Sequence, residues 1–121
     1  MGKIICIDID NTICKTLKNH YSKSTPYKNI IKRINSLHDH GHYIKVFTSR
    51  YMGRNKENIV KVKKQGYLKT YKQLQKWNLK FDELIMGKPS FDILIDDKSI
   101  NFKKSWVKQL EFKLKKISKK K

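Results

Sequence analysis

Lys3-Ile4-Ile5-Cys6-Ile7-Asp8-Ile9-Asp10-Asn11-Thr12 is the stretch on which the reading of this chain turns. Residues 3–9 form a near-continuous apolar run of strand length, the pattern of a strand covered on both faces in a parallel sheet. Two carboxylates two positions apart stand at its end. A buried charge is costly unless it is paired or binds a metal. The pair therefore calls for a cation, and a cation held by carboxylates calls for an oxyanion partner. Alternate residues at a strand end project the same way, so both carboxylates can face one bound group.

Outward from this stretch, strands and helices alternate. Residues 11–25 are polar and mixed and read as a loop. Ser24, Thr25 and Pro26 make a helix start, followed by Ile30, Ile31, Ile34 and Leu37 at helical spacing, with Gly41 as the stop. Tyr43 to Phe47 is a second strand ending at Thr48-Ser49-Arg50. Asn55 can cap a further helix carrying Ile59, Val60 and Val62, interrupted by Gly66 and continued by Leu68, Tyr71, Leu74 and Trp77. Phe81 to Met86 and Phe91 to Ile95 read as strands, divided by the turn Gly87-Lys88-Pro89. A basic amphipathic helix at about 105–118 places Trp106, Leu110, Leu114 and Ile117 on one side.

Alternating strands and helices predict an α/β fold, a three-layer α/β/α sandwich on a parallel, Rossmann-like sheet, with residues 1–121 as one domain. In such sheets ligands bind beyond the carboxyl ends of the strands. The polar candidates fall there: Asp8 and Asp10, Thr48, and Asp96 with Asp97. Lys88 sits in the loop before the last strand.

The formal charge is +19, from 29 basic and 10 acidic side chains. Such a field attracts phosphate esters, nucleic acid and anionic surfaces. Lysine greatly outnumbers arginine, and a compact ammonium reads bases poorly compared with a forked guanidinium. The charge therefore reads mainly as solvated surface with general anion attraction. Apolar runs fall short of the roughly 20 residues of a membrane span. The short apolar segment after Met1-Gly2-Lys3 does not read as a secretory signal. Cys6 and Cys14 lack a metal or CxxC spacing, and the expectation is two reduced thiols in a cytoplasmic protein.

The ordered set of segments resembles the haloacid dehalogenase (HAD) superfamily of phosphatases. Asp8-Ile9-Asp10-Asn11-Thr12, Val46-Phe47-Thr48, Lys88 and Ile95-Asp96-Asp97 are similar to its four signature segments, in order, over residues 3 to about 102. Asp10-Asn11-Thr12-Ile13-Cys14, Gly87-Lys88-Pro89 and Ile95-Asp96-Asp97-Lys98 further resemble small HAD proteins of capsular polysaccharide biosynthesis. The resemblance implies a HAD-like core and a phosphomonoester hydrolase working through an aspartyl-phosphate. Asp8 would be nucleophile, Asp10 general acid and then base, and Thr48 a donor to a phosphoryl oxygen. Lys88 would neutralise charge on both nucleophile and phosphoryl group. Asn11 and Thr12 would shape the turn and, with Ser49 and Arg50, border the bound phosphate. Ser49 fits a helix cap, and Arg50 either a substrate contact or the surface. Mg²⁺ would be held by Asp8, the backbone carbonyl of Asp10, Asp96 and Asp97.

Neither the loop after Asp10 nor the segment after Thr48 has room for a cap domain. A capless member either closes its site by homo-oligomerisation or leaves it open to a large substrate. The leading expectation is a small sugar or polyol phosphate. The alternative is a polynucleotide 3′-end phosphatase, which the charge and the Thr48-Ser49-Arg50 strand end favour. A non-catalytic anion- or nucleic-acid-binding module is a third reading, against which the intact Asp8, Asp10, Lys88 and Asp96 argue.

Overall fold

The computed structural model describes residues 2–100 and 106–119. Its elements are β1 (Ile4–Ile7), β2 (Cys14–Lys15), β3 (Thr25–Pro26), α1 (Lys28–Asp39), β4 (Tyr43–Thr48), α2 (Ile59–Lys76), β5 (Glu83–Met86) and α3 (Trp106–Lys119). The fold is mixed α/β. The chain forms two compact units, residues 1–90 and 91–121.

The first unit is built on a parallel sheet in the order β1-β4-β5. Ile7 pairs with Val46, and Thr48 with Met86. Side chains alternate across a pleated strand, so one face carries Ile5, Ile7, Ile44, Val46, Leu84 and Met86, all buried. Ile31 and Ile34 of α1 and Val62 and Leu74 of α2 add to this unit's core. The other face differs from expectation. Ile4 is 69% exposed and Cys6 is exposed, so β1 is covered on one side rather than both. An apolar run fits either environment, and periodicity does not tell them apart.

Several element boundaries differ from expectation. The expected loop 11–25 contains β2, which pairs antiparallel with Thr25–Pro26. That pairing takes Thr25 and Pro26 out of the helix start, and α1 begins at Lys28. Asn55 ends a short 3-10 turn, while Asn58 caps α2, its side-chain oxygen accepting from the Lys61 N–H at 3.2 Å. Gly66 does not interrupt α2, which runs unbroken through it. A Cβ at Gly66 would overlap the Tyr51 ring, so this glycine is a packing notch.

In the second unit, residues 91–95 carry no strand. An apolar run becomes a strand only where a neighbouring ladder takes its backbone hydrogen bonds. Ile93 and Ile95 are 80% and 94% exposed. The expected amphipathic helix is present as α3, with Trp106 and Leu110 buried and Phe112 exposed. Its expected start at Ser105 and the side chain of Ile117 lie outside the described residues. Among the described residues no helix is long and apolar enough to cross a membrane.

Candidate active site

The loop after β1 is pinned from below. Ile9, Ile13 and Cys14 are fully buried. The N–H groups of Thr12 and Ile13 donate to the Ile9 carbonyl, at 3.1 and 2.9 Å. Asn11 adopts φ 61°, a left-handed conformation that asparagine tolerates better than most residues, and its side-chain oxygen accepts from the Thr16 N–H at 3.2 Å. Asn11 and Thr12 thus shape the turn. Thr12 also reaches Asp8, its hydroxyl donating to Asp8 Oδ2 over a long 3.4 Å.

Asp8 leaves the end of β1 half-buried. Burial pushes its carboxyl above the usual carboxylate range, and the Lys88 ammonium opposes that shift. Lys88 Nζ lies 3.5 Å from Asp8 Oδ1, with 18% of the lysine side chain exposed. The Lys88 N–H donates to the Thr48 carbonyl at 3.0 Å, which ties the loop after β5 to the end of β4. Two residues 80 positions apart in sequence therefore meet because three neighbouring parallel strands point their carboxyl ends to one edge of the sheet.

Asp10 is held from the other side. Arg50 Nε donates to Asp10 Oδ2 at 2.9 Å and to Oδ1 at 3.2 Å, and Nη2 donates to Oδ1 at 2.8 Å. The Thr16 hydroxyl adds a donation to Oδ1 at 2.6 Å. Arg50 is 2% exposed. Its Nη1 donates to Gln73 Oε1 at 2.6 Å, and Gln73 Nε2 donates to the Tyr21 carbonyl at 2.8 Å. The guanidinium also stacks over the Tyr21 ring, 4.9 Å from its centroid. A fork–fork pair fixes both position and orientation of a carboxylate. The surface reading of Arg50 is therefore overturned, and its buried guanidinium is committed to Asp10.

Thr48 is fully buried at the end of β4, and its hydroxyl oxygen accepts from the Arg50 N–H at 3.1 Å. Ser49 caps no α-helix. Its carbonyl accepts from the Met52 N–H at 3.0 Å in a turn, and the next helix starts ten residues later at Ile59 under Asn58. Tyr51 follows at φ 69°, a strained conformation for a bulky residue, with its ring edge-on to Tyr21 at 5.0 Å. Arg54 stacks over both rings, at 5.9 Å from Tyr21 and 5.0 Å from Tyr51.

Asp96 and Asp97 belong to the second unit. There Asp96 Oδ1 accepts from the Lys98 N–H at 2.9 Å, and this bond holds the Asp96 carboxyl below its ordinary range. The Ser99 hydroxyl donates to the Asp96 carbonyl at 3.2 Å. Among the described residues no three His, Cys, Asp or Glu side chains gather as a metal cluster. Thr16 and Gln73 are not among the residues the sequence points to, and Ser24 reads there only as part of a helix start. Thr16 and Ser24 share a 2.6 Å hydrogen bond beneath the Asp10–Arg50 pair. Gln73 carries no signal, since a glutamine on a polar helix is ordinary surface until its partner is known.

No family model matches this chain. No curated protein matches it either. A crystal structure of a structural-genomics target from Vibrio cholerae matches it with a TM-score of 0.77 and 24% identity, covering 94% of this chain and 99% of that one. The likeness is one of fold.

Proposed function

We propose that the chain is a phosphomonoester hydrolase of HAD type that works through an aspartyl-phosphate on Asp8. The observation that carries this reading is the pairing of Asp8 with Lys88 at one strand end, beside an Asp10 oriented by Arg50. A carboxylate that burial disfavours, with one ammonium at its edge, suits attack on an electrophile that brings its own negative charge. Asp8 attacks phosphorus, the bond to the leaving oxygen breaks, and Asp10 supplies the proton that oxygen takes. Asp10 then takes a proton from the water that releases phosphate from Asp8. Lys88 offsets charge on the phosphoryl oxygens, and the Thr48 hydroxyl donates to one of them.

The donor chemistry fits Mg²⁺, which prefers oxygen ligands and shares them with substrate phosphate. Asp8, the Asp10 carbonyl, Asp96 and Asp97 would hold it, while the Asp10 carboxylate is already taken by Arg50. Bound there, the ion would supply charge neutralisation at the transferring group. A three-layer HAD-like core belongs to the same proposal.

The favoured substrate is a small sugar or polyol phosphate, in line with the resemblance to capsular polysaccharide proteins, and the setting is cytoplasmic. The alternative, a polynucleotide 3′-end phosphatase, draws on the +19 charge and on Arg54 stacked over Tyr21 and Tyr51. The test is Mg²⁺-dependent phosphate release over a panel of esters, with Asp8→Asn as the control. Release that disappears in Asp8→Asn supports the reading. Absence of turnover by folded, Mg²⁺-loaded protein on every ester overturns it.

A further inference from the structure

We propose that residues 91–95 of one copy of this chain add a parallel strand to the outer edge of β1 in a second copy. This exchange would set Asp96 and Asp97 beside Asp8 of that second copy, a consequence that rests on the phosphatase reading above.

Three observations carry it. Among the described residues β1 pairs only with β4, so its outer edge is an open ladder in a sheet with apolar residues on it. Open apolar edges are templates for strand addition. The segment around Ile93, Leu94 and Ile95 has strand composition, yet it is exposed and lies in no strand. The alternation of the segment also fits this edge. With Ile95 level with Ile7, Ile93 falls beside Ile5, so both isoleucines join the buried face of the sheet. Leu94 then lies beside Cys6 on the open face, and Asp96 beside Asp8.

The occupant is a second copy because a strand that begins at Phe91 lies out of reach of the β1 edge of its own chain. Met86 pairs with Thr48, two positions beyond the Val46–Ile7 pair, so Met86 is level with Ile9. Phe91 would be level with Lys3, about 20 Å back along the sheet, and three strand spacings or roughly 14 Å to the side. The separation is about 24 Å, while the five links from Met86 to Phe91 span at most about 18 Å fully extended. Parallel connections within one chain take a dozen residues or more, which the Gly87-Lys88-Pro89-Ser90 link lacks. Exchange of an identical element between copies removes the limit and is a low-cost route to a dimer.

The test uses Leu94→Cys in the full chain with native Cys6. Neighbouring strands lie about 4.8 Å apart, within the roughly 4.4–6.8 Å Cα separation a disulfide accepts. Under mild oxidation the proposal expects a covalent dimer on a non-reducing denaturing gel. That dimer should be absent in the wild type and in the Leu94→Cys, Cys6→Ser double variant. A cross-link within one chain, or none in folded protein, overturns it. This readout needs no activity, so it stands apart from the fate of the phosphatase reading. Where the wild type turns over an ester, co-refolded Asp8→Asn and Asp96→Asn/Asp97→Asn chains should recover about a quarter of its rate, since a mixed dimer holds one intact site. A mixture as inactive as either parent overturns the contribution to the second copy's site.

Discussion

Arg50 closes on Asp10 through a side-on pair, with its Nε and Nη2 at 2.8–3.2 Å from the two carboxylate oxygens, although the residues are 40 positions apart in sequence. The pair exists because β1 and β4 are parallel neighbours, so the segments that follow them leave the same edge of the sheet. It is asymmetric. Arg50 is 2% exposed, whereas the Asp10 side chain keeps 21% of its surface open. The guanidinium is the fixed partner, and the carboxylate is the one presented to solvent.

Replacing Arg50 should therefore hurt twice. Breaking a buried ion pair from one side costs about 3–5 kcal/mol, and the partial exposure of Asp10 puts the expected loss for Arg50→Ala nearer 2–3 kcal/mol. Arg50→Lys keeps the charge but loses the fork, so it should recover much of the stability and little of the turnover. Urea unfolding and phosphate release on the same samples check this. Equal recovery of both in Arg50→Lys would show that Arg50 acts only through stability.

Asp8 should trade stability for chemistry. Burial, its largest influence, raises its folded pKa, so the folded state holds a proton there more tightly than the unfolded chain does. Stability from this group is thus greatest at low pH. It falls as pH rises from about 4, the ordinary carboxylate value, through the raised folded value, and the burial penalty is complete above that. Asp8→Asn removes the penalty. It should raise the thermal midpoint at neutral pH and flatten its decline across that window, while lowering turnover by about a thousandfold or more. A lower midpoint at pH 7 would contradict the reading of Asp8 as a carboxylate held at a cost.

Gly66→Ala should invert the usual helix rule. In an open helix interior alanine is favoured over glycine by about 1 kcal/mol. Here the added Cβ meets the Tyr51 ring, whose φ of 69° leaves it little room to yield. A loss of about 1–3 kcal/mol is expected, as for overpacked cores. Chemical denaturation of the variant measures the sign directly. Because Tyr51 follows Arg50, turnover should fall as well.

What the sequence disclosed, and what it hid, divides along the same physical line. Asp8, Thr48 and Lys88 were legible because each is the first polar group after a local apolar run, and strand ends in a parallel sheet converge. The grip of Arg50 on Asp10 was not legible. Adjacency to Thr48 places Arg50 near the site, but the direction of its guanidinium depends on Gln73 and Tyr21, which reach it from elsewhere in the chain. Gly66 read as a helix break because its missing Cβ has meaning only beside Tyr51. The apolar character of residues 91–95 was plain, but whether such a run becomes a strand depends on a neighbour that local sequence does not name.

The two substrate readings separate on salt. A polynucleotide end bound through the +19 field would release counterions, so its KM should rise steeply with salt, with a log–log slope of about −0.7 per neutralised phosphate in the affinity for single strands. A sugar phosphate carries a single phosphate group, and its KM should depend on salt only weakly. Arg54→Ala, which removes the cation stacked on Tyr21 and Tyr51, should lower that slope and weaken oligonucleotide binding, while leaving kcat/KM on a sugar phosphate within about twofold. The favoured reading expects turnover of the sugar phosphate to exceed that of a 3′-phosphorylated oligonucleotide at near-physiological salt. The reverse order, with a steep slope that Arg54→Ala flattens, would move the assignment to nucleic-acid ends.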